Sequence, residues 1–378
     1  MSLILCMKIN SLELISFRNY QQQSFLFDPY INIFIGDNAQ GKTNVLEAIY
    51  LLSTARSFRT HKYKEMIFFN EEFSKITGQV ETNNKPSVMR IVLSKEGKKA
   101  FINQKDILKT SDYLGYLNVI LFLPSDLYLI QGSPGERRSL LDSEISKISP
   151  IYMYNISKYY KLLKERNAYL KSLHDHKKKA DVYLEVLSEQ LAGLQEDIIK
   201  RRYDFISLLD EISHKIYDYI SSSESLSISY HCMYKDYSKE IILKKYQETY
   251  YKDIIYSMTS SGLHRDDIIF KLNDKNAAFY ASQGQQRSIV LALKIGLLEI
   301  VKKQIGEYPI LLLDDVLSEL DDKRKTKLLN MIDHKIQTFI TSTSIDGIHH
   351  QIINDALKIY ISEGHIKEET NGRYKSKS

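Results

Sequence analysis

The residues whose types and spacing best suit chemistry are Gly36-Asp37-Asn38-Ala39-Gln40-Gly41-Lys42-Thr43, which fit GxxxxGK[ST]. In that pattern glycines let successive backbone N–H groups turn inward on phosphate oxygens. The lysine reaches the β- and γ-phosphates and the following hydroxyl ligates Mg²⁺. The strand-like run Ile31–Ile35 leads into the loop, and Val45, Leu46, Ile49 and Leu52 continue it at helical spacing. An anion in the loop would therefore meet a helix N-terminus. A phosphate-binding loop also needs a carboxylate at the end of a neighbouring strand, and Ile310-Leu311-Leu312-Leu313-Asp314-Asp315 supplies two. Asp314 is assigned to the Mg²⁺ site and Asp315 to polarising an attacking water, with capping of a strand-to-loop turn as the alternative for either. The expected ligands are ATP and Mg²⁺.

Ser282-Gln283-Gly284-Gln285-Gln286-Arg287 opens a strongly patterned helix. Alone, Ser282 is an ordinary N-cap. In this order, ahead of the Asp314 strand, the segment resembles the signature motif of the ABC ATPase superfamily. Ser318-Glu319-Leu320-Asp321 resembles that superfamily's D-loop, and Gln131 is the candidate for its Q-loop residue, which senses Mg²⁺ and assists catalysis. Two departures stand out: Asp315 replaces the usual catalytic glutamate, and Ser342 occupies the place of the switch histidine. Both point to slow hydrolysis, suited to a clamp more than to a motor.

The wider resemblance is to the RecF family of DNA replication and repair proteins, and it covers nearly the whole chain. Leu12-Glu13-Leu14-Ile15-Ser16-Phe17-Arg18-Asn19-Tyr20 resembles its opening strand. Ala55-Arg56-Ser57-Phe58-Arg59-Thr60, Gly262-Leu263-His264-Arg265-Asp266-Asp267 and the Leu-Leu-Asp-Asp ending at Asp315 resemble further marks of it. The resemblance implies an ATP-dependent DNA-binding protein of recombinational repair, replication-fork recovery and the SOS response. Such a protein would bind gapped DNA or single-strand/duplex junctions and help RecR- and RecO-type mediators load recombinase. It also implies a homodimer closed around two ATPs. Lys42 and Asp314 of one subunit would hold each nucleotide, and Ser282, Gly284 and Gln285 of the other would close over it. The implied location is the cytoplasm.

Arg56, Arg59, His61, Lys62 and Lys64 crowd a short stretch just after the loop's helix. They are either a solvated face or, brought together in a dimer, a positive groove for DNA. Basic positions farther along, such as Arg201 and Arg202, are the alternative DNA surface. The rival functions are a nucleotide-regulated protein scaffold without direct DNA binding, and an energising subunit of a transporter. The span 136–255 is far too short for the long arms of chromosome-condensing relatives. The chain has no CxxC from which to build a zinc hook.

The elements that must position these residues fall into two textures. Residues 1–134 and 257–366 read as an α/β ATPase domain of ABC type, with Val88–Leu93, Ala100–Asn103, Thr338–Thr341 and Leu357–Ile361 as strands. Residues 135–256 contain one glycine and one proline beyond Gly135 itself and read as an inserted helical arm. Leu187, Leu191, Leu194, Ile198, Phe205, Leu209, Ile212 and Ile216 form a stripe on a helix of about 60 Å, which is expected to pack into a bundle. Residues 367–378 read as a polar, frayed tail.

Bulk composition agrees with this. Charged residues make up 26% and hydrophobic ones 43%, with a net charge of +5, which is compatible with nucleic acid without demanding it. No run approaches the ~20 apolar residues of a membrane span. The start lacks the pattern of a secretory signal, and Met7 is an alternative initiator. Cys6 and Cys232 make no disulfide framework, so a reducing compartment is expected.

Overall fold

The computed structural model describes residues 5–221, 224–345 and 350–372. Their contacts divide them into two units, Met1–Asp126 with Val290–Ser378, and Leu127–Ile289. The first unit begins with β1 (Lys8–Phe17), β2 (Tyr20–Leu26), β3 (Ile31–Ile35), α1 (Lys42–Thr54), β4 (Phe73–Thr82) and β5 (Lys85–Ser94). Then come β6 (Lys98–Ile102), β7 (Lys105–Asp106), α2 (Thr110–Tyr113) and β8 (Val119–Phe122). The second unit holds α3 (Tyr128–Gln131), α4 (Pro134–Ile148), α5 (Pro150–Asp175), α6 (Val182–Ile220), β9 (Leu226–His231) and α7 (Lys239–Ile255). It goes on with β10 (Asp267–Leu272), β11 (Lys275–Asn276), α8 (Ala277–Tyr280) and the first turns of α9 (Gln283–Ile305). The chain closes in the first unit with β12 (Ile310–Asp314), α10 (Asp322–Ile332), β13 (Thr338–Ser342), α11 (Gln351–Asn354), β14 (Leu357–Ser362) and β15 (His365–Asn371).

Two six-stranded sheets build the first unit. One is an antiparallel sheet ordered β2-β1-β4-β5-β6-β7; the other is ordered β15-β14-β3-β13-β12-β8. In the second sheet β14, β3, β13, β12 and β8 run parallel and only β15 is antiparallel. Helix α1 touches strands of both sheets, which explains why Val45, Leu46, Ala48, Ile49, Leu51 and Leu52 are all buried. A helix so placed needs apolar residues nearly all round. Strand β3 is buried along its whole length, as is usual for a strand covered on both faces. The carboxyl ends of β3 and β12, in a parallel sheet, carry Gly36 and Asp315 as the next residues. Open α/β sheets place their ligands at such ends.

In the second unit α6 packs against α5, α7 and β9, so its apolar stripe is covered. Arg202, which interrupts that stripe, is wholly buried. Its guanidinium pairs with Asp142 at 2.7 Å and Asp266 at 3.2 Å and donates to the Tyr152 hydroxyl at 2.9 Å. Arg166 is equally buried and pairs with Asp253 at 2.9 Å. Arg201 pairs with Asp197 at 2.8 Å. The alternative DNA surface at Arg201 and Arg202 is therefore overturned for Arg202, whose charge serves the interior.

Three further differences from the sequence expectation have physical causes. The second unit runs from 127 to 289, wider at both ends than the span 135–256, because α3, β10, β11 and α8 share its contacts. Within the span read as helical, Leu226-Ser227-Ile228-Ser229-Tyr230-His231 alternates apolar and polar residues and forms a strand between the helices. It pairs antiparallel with β10. At the other end, residues 367–371 are no frayed tail: they lie in β15 and pair with β14. The rest of that expected tail, from 373 on, lies outside the described residues. Among the described residues no helix is long and apolar enough to cross a membrane.

Candidate functional site

The loop Gly36–Thr43 joins β3 to α1 and is held from two sides. A Cβ at Gly36 would stand 2.3 Å from the Ile361 carbonyl oxygen of β14, so only glycine fits. Gly41 has φ 118°, and a Cβ there would meet the side chains of Asn19 and Tyr20 within 2.9 Å. Those neighbours also fasten the loop. Asn19 Nδ2 donates to Gln40 O at 3.0 Å, and the Tyr20 hydroxyl donates to Gly41 O at 3.1 Å. The turn after β14 contributes Gly364 N to Gln40 O at 3.1 Å and Glu363 N to Gln40 Oε1 at 2.6 Å.

Inside this frame Lys42 folds back across the loop, its Nζ donating to Gly36 O at 2.5 Å and Asp37 O at 2.7 Å. Burial lowers its pKa, against the opposing pull of Asp315, Asp314 and Asp37. Thr43 Oγ1 donates to Asp314 Oδ1 at 2.8 Å, although the two residues are far apart in the chain. Thr341 Oγ1, from the neighbouring β13, donates to the same oxygen at 2.8 Å and accepts from Asp315 N at 2.9 Å. That hydrogen bond accompanies a left-handed backbone at Asp315, φ 52°. Asp315 Oδ1 is buried with no hydrogen-bond partner among the described residues. A buried carboxylate oxygen left unpaired costs free energy unless a ligand, ion or water meets it.

The donor set fits Mg²⁺. A hydroxyl and a carboxylate oxygen already converge, both hard ligands, and Mg²⁺ commonly takes one or two carboxylates and leaves its other positions to water and phosphate. Among the described residues there is no cluster of three or more His, Cys, Asp or Glu side chains able to hold a metal. The metal would therefore depend on the phosphates as much as on the protein. Ser342, in the place of a switch histidine, donates to Ser344 O at 2.5 Å.

Gln131, Ser282, Gly284 and Gln285 belong to the second unit. Ser282 and Gln285 make a reciprocal cap at the start of α9: Ser282 N donates to Gln285 Oε1 at 2.6 Å, and Gln285 N to Ser282 Oγ at 3.3 Å. The Gln285 side-chain amide donates to Glu224, and Gln131 donates to Gln286. Ser282 itself is exposed, so the capped helix start faces solvent.

The basic segment after α1 belongs to the first unit. Arg56, Arg59, His61, Lys62 and Lys64 are all exposed. Arg59 is only partly at liberty, because it donates to Asn44 Oδ1 at 2.7 Å and lies 3.5 Å from Glu47. Lys62 pairs with Glu65 at 3.4 Å. Arg59 and Lys64 line a groove of about 770 Å³ together with Arg18, Asn19, Asn44 and Phe69.

Sequence reasoning assigned no role to Arg18, Asn19, Tyr20, Asn44 and Glu47, which wire this segment to the loop. Glu47 is wholly buried on α1; it accepts from Arg18 Nε at 2.8 Å and from Ser57 Oγ at 2.5 Å. Asn44 Nδ2 donates to Asn19 Oδ1 at 2.8 Å. A glutamate among the apolar positions Val45, Leu46 and Ile49 was the available signal, since a carboxylate on a buried face demands cationic partners.

Comparison with known proteins agrees with this geometry. The family described as RecF/RecN/SMC N terminal domain matches residues 8–368. The DNA replication and repair protein RecF of Bacillus cereus (strain G9842) is 42% identical over 367 residues, covering 95% of this chain and 98% of the relative. That of Bacillus pumilus (strain SAFR-032) is 43% identical over 370 residues, covering 95% and 100%. A solved structure of the recombination mediator protein RecF with ATP, in the RecFOR pathway, superposes with a TM-score of 0.89 at 32% identity, covering 98% of this chain and 99% of that one. An Smc head bound to the C-terminal winged-helix domain of ScpA, at 17% identity and TM-score 0.57, shares the fold. With the loop, the carboxylate strand and nearly the whole length matched, the chain belongs to the RecF family of DNA replication and repair proteins, within the wider RecF/RecN/SMC family.

Proposed function

We propose that this chain is an ATP-dependent DNA-binding clamp of recombinational repair. It holds ATP and Mg²⁺ on the first unit, closes as a homodimer around the nucleotide, and hydrolyses it slowly. The observation that carries the reading is the convergence of Thr43 Oγ1 and Asp314 Oδ1 at 2.8 Å beside Lys42. A hydroxyl from the head of α1 and a carboxylate from the end of β12 serve no obvious packing purpose there. Mg²⁺, when bound, would neutralise charge on the β- and γ-phosphates. Lys42 would exchange its two loop carbonyls for phosphate oxygens, and the backbone N–H groups from Asp37 to Thr43 would cradle them. Asp315, with its unpaired buried oxygen, would orient and polarise the attacking water. An aspartate reaches one methylene less far than glutamate, which supports slow turnover. The exposed start of α9, capped by Ser282 and Gln285, would close over the γ-phosphate of the partner subunit's nucleotide, with Gly284 allowing close approach. Gln131, joined to Gln286, would report on metal occupancy.

DNA is the proposed macromolecular ligand, in gapped or single-strand/duplex junction form, contacted through Arg56, Arg59, Lys62 and Lys64. Phosphate contacts of this kind are largely independent of sequence. A solved relative named as a recombination mediator in the RecFOR pathway supports RecR- and RecO-type mediators as partners; the cytoplasm is the working compartment proposed with them. The test is to size the protein without nucleotide, with ADP and with ATP, each with and without gapped DNA. A dimer that forms with ATP only, and is retained on DNA, is the expected result. A monomer under every condition refutes the clamp.

A further inference from the structure

Phe69 stands 83% exposed on the wall of the cationic groove of the first unit. Scattered exposed apolar residues are ordinary, but this one is held out by its backbone. Glu71 N donates to Phe68 O at 3.1 Å, closing a turn whose two central residues are Phe69 and Asn70. Asn70 has φ 67°, the left-handed backbone that the second central position of a type II turn requires and that asparagine tolerates. The base of the turn is pinned to the end of β1. Phe68 N donates to Ser16 O at 2.8 Å, and Arg18 N donates to Met66 O at 2.9 Å. Ile67, bridged to Phe17, is buried. The ring is therefore presented on a fastened segment, which lowers the ordering cost of engaging a ligand.

Arg18, Arg59, Lys64 and Lys95 line the same groove, with Glu65 and Glu71 among them. The cations suit a phosphate backbone. The two carboxylates oppose a ligand made of phosphates alone, and the exposed ring offers a surface to something flat and uncharged. A nucleic-acid strand with a free base has both parts. Inside a duplex each base face is covered by its neighbours. An aromatic side chain then reaches a base face only where the base is unpaired or where it wedges a step apart. The groove's volume of about 770 Å³ matches a few ring-sized groups rather than the breadth of a duplex.

We propose that Phe69 is the stacking platform on which this groove seats an unpaired base of DNA, beside phosphates held by Arg59 and Lys64. This rests on the DNA reading given above and sharpens it. The cations hold any DNA, while the ring favours the single-stranded side of a gap or junction. Such a preference needs no base-specific hydrogen bond, because every base offers a face to stack on.

The test compares gapped DNA with a blunt duplex of equal length, both with ATP and Mg²⁺ and at several salt concentrations. Phe69→Ala should weaken binding of gapped DNA about fivefold or more and leave the blunt duplex within about twofold. Its salt slope should not change, since no phosphate contact is lost. The chain contains no tryptophan, so Phe69→Trp keeps a stacking surface and adds a single fluorophore. That variant should bind gapped DNA as the parent does, with its emission quenched by gapped DNA and not by the duplex. Equal losses on both DNAs, no loss on either, or quenching by the duplex overturns the stacking platform. Arg59→Ala combined with Lys62→Ala separates this reading from the one it rests on. If that pair lowers affinity and salt slope while Phe69→Ala changes nothing, the groove keeps its DNA and the stacked base is struck. If neither variant alters binding, both readings fall.

Discussion

Lys42→Ala tests the nucleotide site at its most exposed assumption. In this structure the ammonium is committed to Gly36 O and Asp37 O. ATP must take it from two neutral acceptors and offer anionic ones. Hydrogen bonds to charged groups contribute about 1.5–3 kcal/mol each, with the ammonium–carbonyl contacts toward the lower end and ammonium–phosphate contacts, ionised on both sides, toward the upper. The exchange therefore gains up to about 1.5 kcal/mol per contact, or about 3 kcal/mol at most for the pair, which is up to roughly 100-fold in dissociation constant. The fold should lose little, about 1 kcal/mol. The two carbonyls sit on an accessible loop, and the lysine's own desolvation, visible in its lowered pKa, disappears with it. The assay is titration of a fluorescent ATP analogue with Mg²⁺, followed by anisotropy, beside a thermal melt. A variant that melts within a few degrees of the parent and binds nucleotide as tightly would refute the site. A variant that fails to fold would instead show that the lysine's hydrogen bonds to the loop are structural, contrary to the small stability loss expected.

The other predictions concern the dimer, DNA and pH. Ser282→Arg should bind ATP as a monomer and fail to dimerise with it in sizing experiments, whereas loss of nucleotide binding by the monomer would place Ser282 in the wrong subunit's site. Asp315→Asn should bind ATP and persist as a dimer that does not relax on the timescale of parental phosphate release, because Asp314 still serves the metal. Arg59→Ala combined with Lys62→Ala should bind DNA more weakly in the presence of ATP, with a log–log salt slope shallower by roughly 0.9 for each phosphate no longer neutralised; an unchanged slope and affinity would move the DNA surface elsewhere. Burial lowers the pKa of His264, which bonds Tyr159 and Thr259 through its two ring nitrogens. The unfolded chain then takes up the proton first, so this group's contribution to stability is full above the unfolded pKa of 6.5 and is lost as pH falls below it. Asp266 has the opposite sign, its pKa being raised by burial to about 6. The contribution of His264 must accordingly be read as the difference from His264→Gln, whose melting temperature should fall less between pH 7 and pH 5.

What could be read from the sequence follows from the range of the forces involved. The loop, α1, β3, β12 and the start of α9 are specified by short-range pattern: glycine where a backbone must approach closely, period 3.6 where one face is buried, and an unbroken apolar run for a strand covered on both sides. All were legible at nearly their observed bounds. The union of both chain ends in one parallel sheet was legible only because two halves of one chemistry lay far apart, at Lys42 and Asp314. The strand β9 was missed although Leu226, Ile228 and Tyr230 alternate cleanly, because its partner β10 lies beyond a whole helix and no turn signal links the pair. The long polar strand β15 was missed for the complementary reason. Its side chains are mostly exposed, so it carries no apolar pattern, and its backbone pairing with β14 holds it in place.

The arginines show a deeper limit. Arg59 and Arg202 are the same residue type in comparably basic stretches, and local sequence offers both to DNA. Their surroundings in the fold separate them. Arg202 is wholly buried, so its charge needs Asp142, Asp266 and two tyrosine hydroxyls merely to be tolerated. An arginine so placed cannot leave for a phosphate without stranding two carboxylates. Arg59 keeps a 3.5 Å pairing to Glu47, a carboxylate that Arg18 already meets at 2.5 Å. Its withdrawal would therefore strand no charge. Glu47 itself faces Arg18 and Ser57 from the buried side of α1. A DNA phosphate that drew Arg59 away would leave Glu47 satisfied and would break the long Glu47 pairing and the Asn44 hydrogen bond, both on the helix that begins at Lys42. The sequence supplies the charges, and burial decides which of them are available to a ligand.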